Sequence, residues 1–206
     1  FDSLKTKVEF ATILGTMQSV LTDFRFLRNV WKRNCDEERL LGVSITGIYD
    51  CPYLMRCSPS ELQWLRDHAI DTNLSWSERL GVNPSTAITC VKPSGTVSQL
   101  VDCSSGIHPS YNKHYIRRVR NDKKDPLAQV MIDAGIPYEE DKVNNEAWIF
   151  SFPKKSSGKT RKEIGPIQQL ETWKRFALNW CEHKPSMTCY VPEDEWPQVG
   201  AWVWEN

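Results

Sequence analysis

Nowhere does this sequence carry an apolar run approaching the roughly 20 residues that cross a bilayer. Its first residues, Phe1-Asp2-Ser3-Leu4-Lys5, lack the charged and apolar regions of a signal peptide. Net charge is lacking too: 26 basic and 26 acidic residues cancel, so no global field draws the chain to nucleic acid or an anionic membrane, and an anion site must be local. The seven cysteines include no CxxC pair and no His/Cys cluster of the zinc kind, and their number is odd; reduced thiols and a cytoplasmic location are expected, with no metal. Cys51 and Cys57 lie close together, but Cys-Pro-Tyr-Leu-Met-Arg-Cys has no recognised redox spacing. What remains, 206 residues of which 40% are hydrophobic, is enough for one substantial core, so residues 1–206 are expected to be one domain or part of one.

Apolar residues at helical spacing from Leu4 to about Arg33 predict a long helix with a break near Asp23-Phe24-Arg25. Leu40 to Ile48 and Thr86 to Val91 read as short buried strands. Ser58-Pro59-Ser60-Glu61 is a helix start, and Gly81 is its stop. Further helices are expected over Val97–Val101, from Asp125-Pro126 to Gly135, over Pro166–His183 and after Pro192-Glu193-Asp194-Glu195, and strands over Trp148–Phe152, stopped by Pro153, and Met187–Val191. Ile107 to Arg120 fits no pattern cleanly. Alternating strands and helices predict parallel βαβ units, in an open sheet or a barrel.

The segment Lys92-Pro93-Ser94-Gly95-Thr96-Val97-Ser98 follows a strand and opens a helix. Backbone N–H groups at a helix start lack intrahelical acceptors and favour an anion. Gly95 removes the side chain that would block approach, the hydroxyls of Ser94, Thr96 and Ser98 can donate to phosphate oxygens, and Lys92 adds a point charge. The alternative is that Ser94 or Thr96 only caps the helix. The Gly-Lys-Ser/Thr ending of a Walker motif is missing.

Val91 to Leu100, followed by Ser105-Gly106-Ile107-His108, resembles the stretch of the cobalamin-dependent ribonucleotide reductases that holds the substrate phosphates. Other blocks agree in order: Ala11 to Thr16, Arg39 to Gly47, Phe150-Ser151-Phe152-Pro153, Glu182 to Thr188, Glu193 to Trp196 and Val199 to Val203. The monomeric, triphosphate-using branch fits best. The resemblance implies an α/β fold, the C-terminal half of the ten-stranded barrel shared with glycyl-radical enzymes, as part of an enzyme that reduces ribonucleoside triphosphates with adenosylcobalamin. Lys92, Pro93, Ser94, Gly95, Thr96, Val97 and Ser98 become its substrate-binding residues. In the family a thiyl radical abstracts the ribose 3′ hydrogen and a cysteine pair supplies electrons. The radical cysteine's Asn-x-Cys-x-Glu motif does not occur here, so no catalytic residue is expected in this stretch; that loop, the dNTP effector site and the cysteines that meet a thioredoxin-type reductant are expected outside it. Neither nucleic acid nor a membrane is an expected partner.

Two readings compete with this one: a metal-radical ribonucleoside-diphosphate reductase, against which Gly95 counts modestly, and a phosphate-binding α/β domain without chemistry. His108, His114, Arg117, Arg118 and Arg120 form a basic stretch that reads either as a rim near nucleotide or corrin or as an exposed connection. Trp173 and Trp180, seven apart, read as core packing.

Overall fold

The structure is a computed structural model that describes residues 1–206. Helix α1 (Asp2–Gln18) lies along α4 (Pro59–Leu80). Its buried side is Val8, Thr12 and Thr16, whereas Phe10, Leu14 and Met17 are exposed. The two threonines bury at little polar cost because each hydroxyl donates to the carbonyl four residues back, at 2.8 Å, and Asn73 of α4 then donates to Thr16 Oγ1 at 2.9 Å. The predicted long helix is two, α1 and α2 (Asn29–Glu38), with the break where it was expected. Arg39 ends both: its left-handed backbone closes α2, and its guanidinium donates to Ser19 O beyond α1 at 2.7 Å.

Helix α4 starts and stops as its sequence dictates. Ser58 Oγ accepts from Glu61 N, Glu61 Oε2 accepts from Ser58 N at 2.7 Å, and Gly81 ends the helix at φ +66°. The short α3 (Pro52–Arg56) precedes it.

Both predicted central strands shrink. Only β1 (Val43–Ser44) and β2 (Thr89–Cys90) are regular, paired in parallel with Val43 opposite Thr89. The far edge of β2 is closed by the chain after α7 (Pro166–Asn179). Glu182 Oε2 accepts from the amides of Ile88 and Thr89 at 2.6 and 2.8 Å, and buried Trp180 donates through Nε1 to Cys90 O at 2.7 Å. Around this pair sits the core, including Val8, Ile45, Ile48, Leu62, Leu65, Val91, Ile107, Phe176 and Trp180.

The larger sheet is antiparallel, in the order β3-β5-β4, which corrects the expectation of parallel units throughout. The hard-to-place segment supplies β3 (His114–Asp122), followed by α6 (Pro126–Asp133), β4 (Tyr138–Glu140) and β5 (Ala147–Lys155). Pro153 does not stop β5 as expected, because β4 pairs only with Trp148 to Phe150 and leaves β5 an open edge at Pro153, where a missing N–H costs nothing. Met187–Val191 forms no strand. The chain closes with a 3₁₀ turn and α8 (Trp196–Glu205).

Candidate functional site

The Lys92–Thr96 loop leaves β2 and turns into α5 (Val97–Leu100), a single helical turn. A helix this short carries little macrodipole, so any anion held here depends on local donors rather than on the helix end argued from sequence. Those donors are present. The amides of Gly95, Thr96 and Val97 find no acceptor within the chain, and all three residues are exposed. Thr96 precedes the helix at φ −116° and makes no side-chain cap, so its hydroxyl is unused. Lys92 is exposed, and its backbone N–H is anchored on Ser44 Oγ at 3.0 Å.

Ser94 and Ser98 do different work. Ser94 Oγ accepts from Ser98 N at 2.9 Å, and the fully buried Ser98 hydroxyl donates back to Ser94 O. Ser94 is therefore the cap, with its hydroxyl hydrogen still available, while Ser98 faces inward and braces the turn. Gly95 has open space around the position of an added Cβ and no left-handed backbone angle, so its value here is access, not conformation.

A second turn, Cys103 to Ile107, supports the loop from behind. Ser105 Oγ accepts from Ser94 N at 2.7 Å. Gly106 runs against the loop backbone at φ +56°, where a Cβ would stand 2.6 Å from Lys92 O. Thr46 Oγ1 donates to Ser104 O and accepts from Gly106 N, and Asp50 accepts from the amide and hydroxyl of Ser104 and from Ser157 Oγ. His108 donates through Nδ1 to Ser105 O and accepts at Nε2 from Thr188 N, each at 3.0 Å, with the tautomer assigned from these partners. Four of the resembling stretches, at Ser44 and Thr46, Val91 to Leu100, Ser105 to His108 and Thr188, thus meet at one place.

Of the basic stretch, Arg118 and Arg120 pair with Glu139 and Asp141, while Arg117 Nη2 donates to Gly95 O at 3.0 Å. Sequence reasoning missed the roles of Ser44, Thr46, Asp50, Ser105 and Arg117. Ser44, Thr46 and Ser105 carried a signal in the resembling blocks and Arg117 one in the basic stretch, whereas Asp50 carried none. The redox idea gains nothing: Cys51 and Cys57 are free thiols, and Cys57 is buried with its Sγ toward Leu54 O. No group of three or more His, Cys, Asp or Glu gathers as a metal site, and no helix is long and apolar enough to cross a membrane. Beside the loop, with Val97 on its rim, opens a largely apolar cleft of about 1060 Å³ between α1, α2 and β1, lined in part by Leu14, Leu21, Trp31, Leu40 and Leu41.

No family model matches the chain. It is 34% identical over 138 residues to the adenosylcobalamin-dependent ribonucleoside-triphosphate reductase of Lacticaseibacillus paracasei, and 31% identical over 132 residues to that of Lactobacillus acidophilus. These matches cover 64% and 61% of this chain and 18% of each relative. The enzyme of the same name from Levilactobacillus brevis is 27% identical over 199 residues, covering 80% of this chain and 27% of the relative. The crystal structure of a B-12 dependent (class II) ribonucleotide reductase superposes with a TM-score of 0.73 at 22% identity, over 95% of this chain and 32% of that one. The chain thus spans between about a fifth and a third of the proteins it matches, with their fold over nearly all of its own length. In sequence it is similar to one part of the adenosylcobalamin-dependent ribonucleoside-triphosphate reductases, and its fold is that of one part of a class II ribonucleotide reductase.

Proposed function

We propose that this chain holds the phosphates of a ribonucleoside triphosphate as the C-terminal half of the barrel in an adenosylcobalamin-dependent ribonucleotide reductase. One observation carries the reading: within a reductase homologue, the exposed Gly95, Thr96 and Val97 amides, without acceptors, lie beside the Ser94 and Thr96 hydroxyls and Lys92. The loop binds and orients; it moves no proton. On this reading the whole protein reduces its substrate to the 2′-deoxyribonucleoside triphosphate through a thiyl radical on a cysteine outside this stretch, with a dNTP effector and a thioredoxin-type reductant acting elsewhere and the cytoplasm as its location. Adenosylcobalamin, when bound, supplies the radical that starts the reaction. His108 is engaged at both nitrogens, and His68 stacks on Trp64 beside Glu9.

The loop's own geometry supplies the test. A hydrogen bond to a charged partner contributes about 1.5–3 kcal/mol, so Thr96→Ala should weaken ribonucleoside triphosphate binding by about tenfold or more, measured by titration calorimetry on the full-length polypeptide. Because Thr96 caps nothing, stability should not change with it. Ser94→Ala should lower both affinity and stability, the latter by about 1 kcal/mol for the lost cap. Unchanged affinity in Thr96→Ala would remove the phosphate role from this loop.

A further inference from the structure

The Lys92–Thr96 turn is held by something besides its own residues. An isolated four-residue helical turn does not sustain itself, and on the side where a Cβ would stand Gly95 has no neighbour within 4 Å to support it. At its far end Asp102 sits in the left-handed region at φ +51°, a conformation unfavourable for a residue with a side chain. Both ends are reached by the antiparallel sheet. Tyr115 pairs with Lys154 and Arg117 with Phe152, so Arg117 and Lys154 stand on one face of the β3–β5 ladder, two residues apart along the strands. Arg117 Nη2 donates to Gly95 O at 3.0 Å, and Lys154 Nζ donates to Asp102 Oδ1 at 2.5 Å.

Resting on the phosphate reading above, we propose that the β3–β5 ladder clamps the phosphate-binding turn, with Arg117 as a positioning residue for the Gly95–Thr96 peptide and Lys154 as its counterpart at Asp102. The peptide plane gives the direction. No peptide bond in the chain is cis, and in a trans peptide the C=O and N–H point opposite ways. With Gly95 O fixed on the guanidinium, the Thr96 N–H is aimed away from Arg117. The arginine therefore stands behind the turn and presents its amide to the anion, rather than ligating the anion itself. A preformed donor array spares the bound state the cost of ordering the loop.

The experiment compares wild type with Arg117→Met, Arg117→Lys and Thr96→Ala in the full-length polypeptide. Inorganic tripolyphosphate and a ribonucleoside triphosphate serve as probes by calorimetry, and hydrogen exchange is followed at the bonded amides of Ser94, Ser98 and Gln99 to Cys103. Arg117→Met should bind both probes about tenfold more weakly and exchange faster in this segment alone, with an unchanged melting temperature. Arg117→Lys, which can still donate to Gly95 O, should recover binding to within about threefold of wild type. Weaker binding without faster exchange would make Arg117 a direct ligand and overturn the proposal, as would wild-type binding in Arg117→Met while Thr96→Ala is impaired. If wild type takes up neither probe, or Thr96→Ala binds both as wild type does, the phosphate reading itself fails, and the clamp fails with it.

Discussion

Seven thiols distributed without a motif show how much a single residue's surroundings decide. Burial pushes the thiols of Cys57, Cys90, Cys103, Cys181 and Cys189 up, Cys181 to about 12, with nearby Cys90 adding to the shift. The thiolate is the nucleophile and must also be reached, so the buried Cys57, Cys90 and Cys181 should resist an aromatic disulfide reagent at pH 8 in the native chain, while the half-buried Cys35, Cys51, Cys103 and Cys189 are accessible to it, the last two reacting more slowly. Reagent counts before and after denaturation test this, and more than four thiols reacting natively would contradict the burial described. The same shift has a pH consequence. A thiol whose folded value lies above its unfolded 9.0 contributes stability below pH 9 that is lost as pH rises toward 12, so the denaturation midpoint should fall across that window and Cys181→Ser should flatten the fall. At this scale the sequence was readable in kind but not in direction. Ser94, Thr96 and Ser98 are all hydroxyl residues within five positions, yet one caps, one is free and one is buried as a brace. Side-chain direction in an irregular turn depends on the packed partner, and Ser105 and Arg117 lie beyond any local window.

Elements announced by their own chemistry were legible, and those made by partners were not. The Ser58 capping box and Gly81 bounded α4 in the sequence because cap, first turn and stop are local. Helix α1 misled: Phe10, Leu14 and Met17 lie on the surface it leaves exposed, and beyond Val8 the buried side runs through threonines that satisfy their own hydroxyls. Strands β1 and β2 shrink to two regular residues each although backbone bonds continue on both sides, Leu41 N to Ala87 O and Ile45 N to Cys90 O, and the far edge of β2 is closed by Glu182, about ninety residues away. The turns allow a matched comparison. Gly81 and Gly106 share a left-handed backbone, but a Cβ at Gly81 meets nothing within 4 Å, whereas at Gly106 it would lie 2.6 Å from Lys92 O. Gly81→Ala should therefore cost only the backbone penalty, about 1–2 kcal/mol. Gly106→Ala should cost more than that and also weaken tripolyphosphate binding, since the loop must move to admit the methyl. Chemical denaturation of the two variants beside each other checks the order; equal losses would mean that Gly106 is there for its φ alone.

At the scale of the whole molecule, the resembling blocks pointed to the relatives that the chain matches where counting strands and helices could not, since alternation suggested parallel units and the larger sheet is antiparallel. A half barrel is expected to expose apolar faces, but which residues make them could not be read from the sequence, for the same reason that α1 misled. Leu14 and Leu21 are 67% and 73% exposed, and with Trp31, Leu40 and Leu41 they line the cleft between α1, α2 and β1. Contiguous apolar surface of this kind in water favours association, because each Å² removed from solvent contributes about 25 cal/mol before the costs of ordering. The isolated 206-residue chain should thus show concentration-dependent self-association in sedimentation velocity. The double substitution Leu14→Lys with Leu21→Glu removes apolar area at two rim positions that contribute little to the folded core, so it should shift the chain toward monomer while its unfolding free energy stays within about 1 kcal/mol. A wild-type chain that sediments as a monomer across the micromolar range would show that the cleft does not drive association. Loss of stability in the double variant would show instead that these leucines pack in the folded chain more closely than their exposure indicates.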